Sequence, residues 1–197
     1  MFLIVLLLLI FLVGEVLLKL GVEPEFTRKF SHLFAGVVVY FFPYFLSLNS
    51  ALSIGVLFAV LFFFLEKYAF LKSVTGVSRK TKGSYIMPLA LSICAFLYWP
   101  RSVTTFQISV ILLAFSDTFA FLVGYCVRSP MFIKKSLAGS LSFIVVSTFV
   151  YSSFGVMLPF SIFYSFILSV IEASSLNGTD NLFVPIAGGA LYFFSLL

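Results

Sequence analysis

The chain is predicted to be all-α, a polytopic bundle of transmembrane helices, and three observations carry that prediction. It is 62% hydrophobic and only 10% charged, with a mean hydropathy of +1.20, whereas a soluble domain carries about a quarter charged residues. Its apolar stretches run to about 16–20 residues, the length that crosses a bilayer as helix, whereas barrel strands would alternate over about 10. Breakers recur between those stretches: Gly21 and Pro24, Asn49, Gly76 and Gly83, Pro100, Pro130, Pro159, then Asn177-Gly178. The 197 residues leave room for a single integral membrane domain, 1–197.

The first predicted span covers 2–20. Met1 to Val13 lacks a basic n-region and a small-residue cleavage site, so it reads as a retained span and not as a removed signal. Further spans are expected at 31–48, 51–71, 84–99, 105–126, 137–156, 159–175 and 182–197. The last three are short or closely spaced, so the count is seven or eight. Basic residues set the orientation. Lys19, Arg28 and Lys29 flank the first connection, Lys67, Lys72, Arg79, Lys80 and Lys82 the third, and Arg128, Lys134 and Lys135 the fifth. Only Arg101 lies in an even-numbered connection. The positive-inside rule then puts the odd connections in the cytoplasm and both termini outside. The same distribution explains the net charge of +5 without a nucleic-acid partner. Cys94 and Cys126 stand far apart in apolar surroundings and read as small buried hydrophobes, with neither disulfide nor metal spacing.

Apart from Glu15, one carboxylate falls near the middle of a predicted span. Asp117 lies in the 105–126 span, where an ionised side chain costs roughly 2.5–3.5 kcal/mol on insertion scales. Ala120 and Gly124 follow at i+3 and i+7, on the same helix face. Two readings stay open: small residues making room for a ligand beside a carboxylate, or a close helix–helix contact. Asp117 is about nine residues, roughly 14 Å, from the cytoplasmic end of its span. It therefore needs a polar cavity opening to that side or a helix break near Gly124.

The other polar clusters map to the same predicted membrane face. Lys134-Lys135-Ser136-Leu-Ala138-Gly139-Ser140 starts a span, where free N–H groups and adjacent lysines attract anions. Anchoring at the cytoplasmic interface is the alternative. Glu172 and Ser175 end one span, and Asp180-Asn181 precede the next, offering hard oxygen ligands suited to Mg²⁺ or an N-cap. Arg28-Lys29-Phe-Ser-His32 stands at the start of the second span, as phosphate contacts or as snorkelling anchors with a structural histidine. Together the clusters supply carboxylates for a divalent metal and cations for phosphates, the set that phosphoryl transfer needs. An apolar alcohol dissolved in the bilayer would present its hydroxyl at the same interface.

Four motifs occur in order: Arg28-Lys29-x-x-His32, Asp117-x-x-Ala120-x-x-x-Gly124, Lys135-Ser136-x-x-Gly139-Ser140, and Glu172…Gly178-x-Asp180-Asn181-x-x-x-Pro185. From Arg28 to Pro185 the chain resembles the polyprenol kinase family, which includes dolichol kinase, phytol kinase and the CTP-dependent diacylglycerol kinases. That resemblance implies transfer of the γ-phosphate of a nucleoside triphosphate, typically CTP, to a lipid alcohol, with Mg²⁺ as the divalent cofactor. It implies nucleotide and phosphate contacts by Arg28, Lys29, Ala120, Gly124, Lys134, Lys135, Ser136, Gly139 and Ser140. Asp117, Glu172, Asp180 and His32 would be catalytic, and Asp117, Asp180 and Asn181 would hold the metal. The active site would face the cytoplasm. Two positions depart from the family pattern: Ala138 stands where an acidic residue is usual, and Arg128 where a second glycine is expected.

Phosphatidate cytidylyltransferases share a similar Asp-x-x-Ala and Lys-Ser/Thr core and also use CTP. Their C-terminal signature carries basic residues and a Gly-His-Gly-Gly-like run, whereas this chain has no Lys, Arg or His after Lys135. A transporter or a non-catalytic structural relative is the alternative from another class. Transporters often show repeated halves around a midplane site, and no internal repeat is visible here.

Overall fold

The computed structural model describes residues 2–68, 70–76 and 82–196; Arg79 and Lys80 of the third connection lie outside the described residues. Helix α1 (Phe2–Lys19) is followed by α2 (Pro24–Tyr40), the one-turn α3 (Phe42–Phe45), α4 (Leu48–Lys67), the one-turn α5 (Lys72–Thr75) and α6 (Gly83–Tyr98). A continuous helix then runs Val103–Cys126. It is built of α7 (Val103–Ile111), a π-helical turn (Leu112–Ser116) and α8 (Asp117–Cys126). A two-residue hairpin, β1 (Met131–Phe132) against β2 (Lys135–Ser136), leads to α9 (Leu137–Ser153), α10 (Leu158–Ser174) and α11 (Asp180–Phe194).

The all-α class is correct apart from this hairpin. Among the described residues, α1, α4 and the Val103–Cys126 helix are long and apolar enough to cross a membrane, while α6, α9 and α10 are apolar but shorter. Helix ends follow local chemistry. Ser47, Ser102 and Ser136 cap α4, α7 and α9 by accepting hydrogen bonds from the N–H groups of Ser50, Thr105 and Gly139. The stretch expected at 31–48 differs most: its helix begins at Pro24 and ends at Tyr40. Proline suits the first helical position, where its missing N–H costs nothing, and Pro43, with no N–H to offer the Val39 carbonyl, interrupts the α2 ladder before the single turn of α3. Arg28, Lys29 and His32 therefore lie within α2 and not ahead of it.

Among the described residues three apolar centres hold the helices, one of them Leu91, Cys94, Ala95, Tyr98, Phe106, Val110 and Leu113 between α6 and the Val103–Cys126 helix. Leu3, Leu7 and Ile10 of α1 pack with Ala35, Val38, Phe58 and Phe62 of α2 and α4. On the other side Ile108, Leu112, Phe143, Tyr151, Leu168 and Val184 form a core among α7, α9, α10 and α11. Tyr151 is fully buried there, and its hydroxyl donates to the Gly188 carbonyl at 2.9 Å. Outward faces stay apolar: Leu8, Leu12, Leu57, Val145 and Phe149 are all exposed. Cys94 is buried as expected, but Cys126, at the end of α8, is exposed.

The connections richest in polar residues meet at one end of the bundle. There Lys82 N–H donates to the Asn177 carbonyl, Ser73 N–H to Glu15, Thr27 Oγ1 to the Ser73 carbonyl, and Lys134 to the Ser174 carbonyl. Asn177 and Gly178 both adopt positive φ, the turn that their sequence predicts.

Candidate functional site

Asp117 opens α8 directly after the π turn. Such turns are rare and concentrate at functional positions. The side chain does not face outward: Asp117 is 3% exposed. Lys29 Nζ donates to its carboxylate and, at 3.3 Å, to its carbonyl oxygen, while His32 Nδ1 lies 3.5 Å from Oδ2. Lys29, His32 and Gly36 share one face of α2 at i, i+3 and i+7. A Cβ at Gly36 would collide with Ala114 in the π turn. Gly36 therefore sets the approach of α2 that brings Lys29 and His32 to Asp117.

The second cation comes from the hairpin. Phe132 pairs with Lys135, and Ile133 turns the chain with a φ of 58°. A β-branched residue in the left-handed region is strained, and here the turn aims two successive lysines differently. Lys135 Nζ lies 2.8 Å from Glu172 Oε1 and 3.0 Å from Asp180 Oδ2. Burial alone would lower the Lys135 ammonium, but Asp180 and then Glu172 outweigh it and hold the group above the ordinary lysine value. Lys134 points elsewhere, to the Ser174 carbonyl at the surface.

Oxygens of Asp117, Glu172 and Asp180 lie within 4.8 Å of one another. Five elements thus converge: α2, α8, β2, α10 and α11. Three carboxylates face two ammonium groups, and Glu172 Oε2 has no hydrogen-bond partner. Hard oxygens at this spacing with an unused acceptor fit a divalent cation such as Mg²⁺. Asn181, expected among the metal ligands, donates a side-chain amide N–H to the Gly83 carbonyl at 3.0 Å and its backbone N–H to Asp180 Oδ1. Glu172, expected as a catalytic group, is the third carboxylate of the cluster.

An open cavity of about 930 Å³, mouth included, adjoins the cluster. Lys29, Asp117, Ala120, Gly124, Lys134, Lys135, Ser136, Gly139 and Glu172 line it, as the motifs predict. The cavity opens beside the connections and so supplies the polar access that Asp117 requires; α8 continues unbroken past Gly124. The two readings of the small residues both hold in part. A Cβ at Gly124 would meet Ser136 Oγ at 2.5 Å, and one at Gly139 would meet the Ala120 carbonyl at 2.8 Å. These glycines seat α8 against α9 and form the cavity wall by doing so. Ser136 spends its hydroxyl on the α9 cap. Ser140 is buried behind it, where its carbonyl accepts from Ser169 Oγ. Arg28 pairs with Glu25 at 2.9 Å and does not line the cavity.

Glu25, Phe121, Tyr125 and Met131 also line the cavity and were not anticipated. Phe121 and Tyr125 follow Asp117 at i+4 and i+8, a helical stripe that was legible in the sequence. Phe26 packs edge-on against both rings, with centroids 5.2 and 4.9 Å away, and Lys29 stands over the Phe121 face. Comparisons with family models, with curated proteins and with solved structures find no match for this chain.

Proposed function

We propose that this chain is a multi-pass membrane lipid kinase of the polyprenol kinase type. It transfers the γ-phosphate of a nucleoside triphosphate, CTP by the resemblance, to an isoprenoid or other lipid alcohol at the cytoplasmic face. The observation that supports this reading best is the meeting of Asp117, Glu172 and Asp180 with Lys29 and Lys135 beside an open cavity. Phosphoryl transfer depends on positioning and on charge neutralisation, and this cluster supplies both.

In this reading the nucleotide enters the cavity from the cytoplasmic side, with its base near Phe121 and Tyr125. The cluster residues divide the remaining work. Asp117, Glu172 and Asp180 would hold Mg²⁺, which would supply neutralisation of the phosphate charge. Lys135 reaches the phosphates as a point charge, oriented by Glu172 and Asp180. Lys29 fixes Asp117. The alcohol oxygen forms a bond to the γ-phosphorus as the bond to the β–γ bridging oxygen breaks and the hydroxyl proton leaves to solvent, giving a lipid phosphate and a nucleoside diphosphate. The exposed apolar faces and the basic odd connections support multi-pass insertion with seven or eight spans and both termini outside.

The test is purified protein with radiolabelled CTP or ATP and a panel of phytol, geranylgeraniol, dolichol, diacylglycerol and phosphatidate, resolved by thin-layer chromatography. A labelled lipid phosphate with release of nucleoside diphosphate is expected. Pyrophosphate release would identify a cytidylyltransferase, and absence of any labelled lipid across the panel would reject both.

A further inference from the structure

Helix α2 divides the carboxylate cavity from a second chamber. Glu25 and Lys29 line the cavity, whereas Arg28, Ser31, His32, Ala35 and Val39 line the chamber on the neighbouring stripe of the same helix. The other chamber walls are apolar side chains of α1, α4 and α6, among them Leu7, Phe11, Phe58, Phe62 and Leu91. Its cavity volume is about 80 Å³, drawn out along a narrow slot. That is below the roughly 300–1,000 Å³ usual for drug-sized ligand sites and leaves room for one slender chain at most.

Polar groups gather at one end of the slot. The His32 ring reaches from one compartment to the other: Nδ1 faces the Asp117 carboxylate, and Nε2, across the ring, has no hydrogen-bond partner. Ser31 Oγ is also unpartnered. Both residues are more than nine-tenths buried. Buried polar atoms in folded proteins are nearly always satisfied, and an exception calls for a missing partner. Pro88 lines the chamber itself, whereas Pro185 stands in α11 and does not. Each lacks the N–H that would bond the carbonyl four residues earlier, at Ser84 and Asn181, and both of those residues line the chamber.

An apolar slot with unspent hydrogen-bonding groups at one end matches an amphiphile with a small polar head. We propose that the chamber seats a single hydrocarbon chain ending in a hydroxyl, which donates to His32 Nε2. The identification of that chain as the phosphate acceptor rests on the kinase reading; its seat does not. The hydroxyl would then stand across the imidazole from Asp117, at the partition between donor and acceptor compartments. A narrow slot takes one tail, and a two-tailed glycerolipid does not fit.

The experiment is photolabelling of the full chain in phosphatidylcholine nanodiscs with a diazirine analogue of geranylgeraniol, without nucleotide, and mapping of the label by mass spectrometry. Label is expected on chamber residues of α1, α4 and α6. Geranylgeraniol should compete about tenfold better than the matching hydrocarbon lacking the hydroxyl, the worth of one buried hydrogen bond. His32→Phe should erase that discrimination while chain labelling persists. Ala51→Trp, which fills the slot away from the carboxylates, should remove the label and leave nucleotide affinity unchanged; Ile54→Trp serves if that variant does not fold. Label scattered over the lipid-facing surface, equal competition by the hydrocarbon, or stronger competition by diacylglycerol would overturn the proposal. Chamber labelling without phosphate transfer would instead reject the kinase reading alone.

Discussion

Asp117→Asn is the most informative single change. The amide keeps the shape of the carboxylate and removes its charge, so Lys29 remains buried with the Asp117 carbonyl at 3.3 Å as its neutral partner. Breaking a buried pair from one side costs about 3–5 kcal/mol, because the surviving charge is uncompensated. Glu172 and Asp180 lie close by but are committed to Lys135. Their residual attraction places the expected loss near the lower bound, about 3 kcal/mol, or roughly 150-fold in the folding equilibrium. Lys29→Met in the same background removes the orphaned ammonium. The double variant should regain about 1–3 kcal/mol relative to additivity, yet remain inactive, since the carboxylate is still missing. Unfolding in mild detergent measures the first quantity, and phosphate transfer to the lipid panel the second. Additive losses, or full activity in Asp117→Asn, would refute the assigned geometry.

Other outcomes follow from the same site. Lys135→Ala should raise the nucleotide KM about tenfold or more while the protein stays inserted, as expected for loss of one phosphate contact; an unchanged KM would remove Lys135 from that role. Because the folded Lys135 value lies above the ordinary 10.5, its stabilising contribution is complete below that pH and is lost only as pH rises through the folded value. The stability gap between wild type and Lys135→Ala should therefore be flat from neutrality to about pH 10 in denaturant titrations. Chelation of divalent cations should abolish lipid phosphorylation and Mg²⁺ should restore it; chelator-resistant turnover would count against the carboxylate cluster as a metal site. Gly139→Ala forces α9 away from the Ala120 carbonyl and should cost about 1–3 kcal/mol by thermal unfolding, whereas an unchanged melting temperature would show that the α8–α9 contact yields freely.

Composition and breakers made the helices legible, and most of their starts fall close to the predicted spans. Pro24 reads equally as a breaker and as a first helical residue, and α2 begins there, seven residues ahead of the predicted span. The candidate site was legible as residue types: Asp117, Lys135, Glu172 and Asp180 do meet. Their partners were less so. Nothing in local spacing says that Lys29 pairs with Asp117 while its neighbour Arg28 pairs with Glu25, since that depends on how closely α2 can approach at Gly36. Nor does the pattern around Asp180-Asn181 show that the asparagine turns to Gly83, which requires the N-terminus of α6 to lie beside α11.

The widened turn at Leu112–Ser116 has a consequence for the whole Val103–Cys126 helix. A regular helix advances about 100° per residue, and a π turn accommodates one residue more than the regular spiral would. It therefore acts as a phase correction. Ile108, upstream, and Leu112, where the turn begins, keep their azimuth toward the core, while Asp117 and its successors are rotated to meet α2 and the hairpin. Without that slip, a single helix could not satisfy both sets of neighbours at once.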